Sequence, residues 1–181
     1  MNKVYLDNFE TTLQHELLRL CTSYNMLEGV LLSSDDIDEM WHKLAPEYMV
    51  DAVPQIKDYP SVSVAWAAYL GLAIAYGWDK NWELCSKAEY SSYYGERGFD
   101  DMDEHIVRDL LGLRLESNEA QNLENMLRRC AQTTVSLIRR EQIEPQSETA
   151  FYVFAKACKV MFRIGAAIEL KRLGYKFEKM N

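Results

Sequence analysis

Tyr59–Trp78 is a run of twenty consecutive residues without a charge. An uninterrupted stretch of that length either crosses a bilayer or is enclosed by the rest of its own chain. Its composition favours enclosure. Only five of the twenty are Val, Leu or Ile, five are Ala and two are Gly, a dilution by small residues that is uncommon in a lone membrane span. Ala65, Ala68, Gly71 and Ala75 would let neighbouring helices approach closely. The stretch therefore predicts a central apolar helix over about 60–78, with no membrane partner.

The helices that would enclose it are legible as periodic stripes. Leu6, Phe9, Leu13, Leu17, Leu20, Tyr24, Leu27 and Leu31 recur every three or four residues, the period of one helix face, and Gly29 weakens the far end. Ser33 or Ser34 can cap a second helix whose acidic first turn suits the positive end of the helix dipole. That helix runs through Met40, Trp41 and Leu44. Pro46 lacks a backbone donor, which predicts a break there and a separate short helix to about Val53.

A fourth helix is expected from Gly98–Asp101 onward, with Ile106, Leu110 and Leu113 on one face. Asn118 and Gln121 have capping-box spacing ahead of a fifth, striped by Leu123, Met126, Leu127, Cys130, Thr134, Leu137 and Ile138. The last helix, about 147–173, is apolar on most sides and stops at Gly174, a suitable left-handed cap. No segment alternates long enough to make a strand. The prediction is an all-α, single-domain bundle of five or six helices, with the third and the mostly buried C-terminal helix at its centre.

A chain of 181 residues with 48% hydrophobic content can bury a sizeable core in one domain. Its net charge of −8 opposes approach to polyanions, so neither nucleic acid nor anionic lipid is expected as a partner. Cys21, Cys85, Cys130 and Cys158 show no CxxC or zinc-type spacing and read as reduced thiols. The N-terminal residues carry no secretory pattern and no lipidation motif ends the chain, which makes cytoplasm the expected location.

Signatures of chemistry are sparse. Glu39 and His42 make a Glu-x-x-His pair, and His105 sits between Asp101 and Asp109 at four-residue spacing. A di-iron bundle site needs a second Glu-x-x-His, but Met102 stands where that glutamate would be. Glu39, His42 and His105 are therefore only weak metal candidates, and no cofactor is predicted. Catalytic and phosphate-loop motifs such as GxSxG, SxxK, HExxH, GxGxxG and GxxxxGK are absent.

Two features stand out. Arg128 and Arg129 precede Arg139 and Arg140 by eleven residues, close to three helical turns, so both pairs project from nearly one side and could hold phosphate or an acidic partner. Ion pairing with nearby acids is the plainer alternative. The segment from Tyr76 to Phe99 holds seven of the 21 aromatic residues. Trp78, Trp82, Tyr90, Tyr93 and Tyr94 could line a pocket or partner surface, with Arg97 turned to an anion, or could close over the core as a lid. The leading expectation is a non-catalytic cytoplasmic interaction or scaffold protein, with self-association as a homodimer one form of it. A small-molecule binder or enzyme with a pocket near residues 76–99, or a carboxylate–histidine metal protein, are the alternatives.

Overall fold

Four helices begin with the same local device. The side chains of Asn2, Ser34, Ser117 and Ser147 each accept a hydrogen bond from the backbone N–H three residues on, at 3.1 Å in every case. These caps start α1 (Lys3–Ser23), α2 (Asp35–Ala52), α5 (Asn118–Arg140) and α6 (Glu148–Arg172) in a computed structural model that describes residues 2–176. Between α2 and α5 lie α3 (Pro60–Cys85) and the short α4 (Met102–Glu104), which continues as a π-helical stretch, His105–Leu110. No strand occurs among the described residues. A serine cap contributes about 1 kcal/mol. Ser147→Ala is expected to lower stability by about that amount, measured as a shift in the urea midpoint; an unshifted midpoint would mean that another group takes over the Ala150 N–H.

Several boundaries differ from the sequence-based expectation. Ser117, not Asn118, caps α5, and Asn118 is its first helical residue. The first helix ends at Ser23 rather than near Leu31, because Asn25 adopts a left-handed φ of 61° and turns the chain. Leu27 still reaches the core from the loop. Nor does α2 break at Pro46. The carbonyl that loses its donor belongs to His42, and both His42 and Pro46 face solvent, where water can take over the bond.

Beyond Trp78, α3 runs on to Cys85 through Asn81, whose extended backbone (φ −165°, ψ 91°) interrupts the helix; its Oδ1 caps the final turn by accepting from the Leu84 N–H. The expected fourth helix is short and irregular. Ile106 is buried, but Leu110 and Leu113 are only half-buried, and Gly112 at φ 73° ends the segment.

Side-chain pairings give the helix directions. Lys156 meets Glu10, Arg163 meets Gln14 and Lys171 meets the carbonyl of Asn25, so α1 and α6 ascend together. Cys158 approaches the Ser63 carbonyl and Tyr175 bonds Asp79, so α3 runs the same way. Tyr48–Ser63 and Trp78–Asp36 pairs make α2 antiparallel to α3. Tyr5–Glu141 and Cys21–Cys130 make α5 antiparallel to α1.

The core is built around α3 and α6. Every residue from Ser63 to Ala75 except Trp66 is buried, and so is most of α6 from Val153 to Leu170. Gly71 lies against the Phe162 carbonyl and Ala166 nitrogen of α6, while Gly165 lies against the Ala68 carbonyl of α3. A Cβ at either position would overlap backbone of the other helix. Tyr48, Trp41 and Phe162 pack beside this crossing with ring centroids 5.2–5.8 Å apart. The charge-free segment is thus enclosed by its neighbours, with 67% of its most apolar window buried.

Candidate functional site

The aromatic segment folds down onto the bundle. Tyr90, Tyr93 and Phe99 are buried, and Tyr48 contacts Tyr90 and Phe99 with centroids 6.5 and 5.9 Å away. The hydroxyls of Tyr90 and Tyr94 both donate to Oδ2 of Asp51, at 2.8 and 2.5 Å. Burial, then this carboxylate, pushes the Tyr94 phenol up to about 12 and Tyr90 further still. Both phenols therefore stay protonated at neutral pH and serve as fixed donors. Trp78 is half-buried, donating to Asp36 at 3.3 Å and packing at a tilt against Tyr175, and Trp82 is half-buried against the core.

Arg97 belongs to a tight turn bridged between Gly95 and Gly98. Its backbone N–H donates to both oxygens of Asp101, at 3.0 and 3.1 Å, and its guanidinium lies 3.6 Å from the same carboxylate. Gly95 is required there because a Cβ would overlap that carboxylate. Arg97 is thus answered within its own turn.

The metal candidates are dispersed among different partners. Glu39 and His42 are exposed on α2, whereas His105 Nδ1 is 2.9 Å from Asp109, a carboxylate that Arg108 also engages. Among the described residues no three His, Cys, Asp or Glu side chains are grouped to hold a metal. The four cysteines are free and buried. Cys21 and Cys130 touch at 3.5 Å across α1 and α5, and that contact, with burial, raises the Cys130 thiol well above its ordinary value.

Two of the four stripe arginines share a cavity. An open groove of about 550 Å³ runs between α1 and α5, lined on one side by Thr12, Glu16 and Leu20 and on the other by Arg129, Gln132, Thr133, Ser136, Leu137 and Arg140. Arg128 does not enter it, since Glu124 holds its guanidinium at 2.6 Å. Arg129 lies over the Tyr24 ring, 4.8 Å from its centroid. Arg139 is exposed beside Arg140 and lines no part of the groove. Among the described residues no carboxylate pairs with Arg129, Arg139 or Arg140, although most other arginines are paired. The α1 wall was not legible in the sequence: Thr12 and Glu16 flank an ordinary apolar stripe, and only the pairing of α1 with α5 brings them opposite the arginines.

A second feature is apolar. Ten large apolar side chains are exposed among the described residues. Seven of them, Val4, Val50, Val53, Ile56, Tyr59, Phe151 and Tyr152, belong to the start of α1, the end of α2 with the connection to α3, and the start of α6. The helix directions derived above put these segments at one end of the bundle. Phe151 and Tyr152 meet edge to face at 5.5 Å, leaving both rings partly in water. No protein-family model, curated protein or solved structure matches the chain.

Proposed function

We propose that this protein is a non-catalytic cytoplasmic interaction protein that associates with a second copy of itself through the apolar end of the bundle. The observation that carries this reading is the gathering of seven of ten exposed large apolar side chains at one end. Scattered single exposures are ordinary, whereas a concentration of Val, Ile and aromatic side chains is what an association surface offers. A second copy is the favoured occupant because a two-fold contact lets one patch cover itself. Four cysteines that remain free, two of them touching, support a reducing compartment.

Light scattering coupled to size-exclusion chromatography tests the proposal. The wild type is expected to run above the 21.0 kDa chain mass and to approach twice that value with concentration. Val50→Glu with Phe151→Glu, both at exposed positions, is expected to return it to the chain mass without changing its helical signal. A monomeric wild type across the whole concentration range would remove the reading.

A further inference from the structure

We infer that the groove between α1 and α5 is a binding site for an elongated small molecule with an anionic group at each end and hydroxyls between, the chemistry of a sugar bisphosphate. The site runs along the flank of the bundle from Arg129 to Arg140, which borders the Tyr5–Glu141 pair, and shares no lining residue with the apolar end.

The register of the two helices sets the layout. Cys21 opposite Cys130 and Tyr5 opposite Glu141 place Leu20 beside Arg129, Glu16 beside Thr133, and Thr12 beside Ser136 and Leu137. Arg140 closes the far end. The two arginines are eleven residues apart on a helix, about 16 Å along its axis, and the long side chain of Arg140, which no carboxylate among the described residues holds, can swing toward Arg129 to clamp a shorter ligand. Tyr24 holds one of them in place by lying under the Arg129 guanidinium.

Charge and hydrogen-bonding capacity select the ligand. In a chain of net charge −8, two arginines that line one groove without a carboxylate partner are a local exception, and guanidinium forks match phosphate oxygens. Between them sit Thr12, Gln132, Thr133 and Ser136, which both donate and accept, and Glu16, which only accepts. Glu16 is balanced in part by Arg19 at 3.6 Å, and its carboxylate disfavours a third anion at mid-groove while welcoming hydroxyl donors. The groove volume of about 550 Å³ falls in the usual range for small-molecule sites, about 300–1,000 Å³.

The test is calorimetric titration of the full chain with fructose 1,6-bisphosphate at low salt, with inorganic phosphate and unphosphorylated fructose as comparison probes. Saturable binding of the bisphosphate is expected, at least ~10-fold tighter than inorganic phosphate, with no binding of fructose. Arg129→Gln and Arg140→Gln should each weaken it ~10-fold or more, while Arg128→Gln, whose guanidinium is already held by Glu124, should leave it within about twofold. All three arginines are exposed, so the variants should melt like the wild type. Absence of saturable binding up to about 10 mM, well above the millimolar Kd scale of weak ligands, would overturn the assignment. So would bisphosphate binding unaltered by Arg129→Gln and Arg140→Gln, or binding no tighter than that of inorganic phosphate.

Discussion

Gly165→Ala is expected to destabilise the protein by about 3 kcal/mol or more, the upper range for overpacking a tight core. The sign is the informative part. In a helix interior, replacing glycine by alanine normally stabilises by about 0.5–1 kcal/mol, since alanine loses less backbone freedom on folding. Here the new methyl would overlap the Ala68 carbonyl of α3, a backbone group that cannot move aside as a flexible side chain would. The two helices must separate or shift, and around this crossing both are buried, α3 from Ser63 to Ala75 apart from Trp66 and most of α6 from Val153 to Leu170. Gly71→Ala meets the Phe162 carbonyl in the same way and should cost a similar amount. Because both act on one crossing, the double variant is expected to lose less than the sum of the two. Urea unfolding of the three variants measures this, and a Gly165→Ala protein as stable as the wild type would disprove the close crossing.

Glu169 should make stability fall as pH rises between about 4.5 and 7. This side chain is 1% exposed on α6, and burial raises its carboxyl from 4.5 to about 7, although Arg172 opposes the shift; Glu119 and Asp79 add to it. Below about 4.5 the group is protonated in both the folded and unfolded chain, and above about 7 it is ionised in both. Within that window the folded state holds a proton the unfolded state has released, so each step up in pH favours unfolding. The contribution is about 3 kcal/mol across the whole window, most of it lost between about pH 5 and pH 7. Glu169→Gln mimics the protonated acid and keeps a hydrogen-bonding partner for Arg172, which Glu119 also binds. Unfolding at pH 5 and pH 8 should show the variant gaining about 2 kcal/mol relative to wild type between the two. Parallel pH profiles for the two proteins would refute the assignment.

These two positions differ in how far they could be read in advance. Gly71 was visible as one of several small residues in an uncharged run, and the run itself required neighbours. Gly165 and Glu169 sit within another apolar helix; Arg172, three residues on, was a legible partner for Glu169, but nothing in the local pattern says that Gly165 faces α3 or that Glu169 is buried. The stripe arginines were visible too. Which of them were free was not, because Arg128 is neutralised by Glu124 one turn away, while Arg129 and Arg140 open into a groove whose other wall lies more than a hundred residues earlier in the chain. The aromatic segment was recognisable by its composition, yet its fate as a cover over Tyr48 depended on Asp51 being at hand to receive two phenols.

What the amino-acid order determined alone was the helical class, the serine cap and acidic first turn of α2, the stripes and the need to enclose residues 59–78, since each arises from interactions within a few residues or from the hydrophobicity of a single segment. Tertiary structure decided the continuity of α2 through Pro46, the parallel course of α1, α3 and α6, the pairing of the two glycines and the composition of the groove. Those depend on which faces meet across long stretches of chain, and a periodic pattern states only that a face must be covered, never by what.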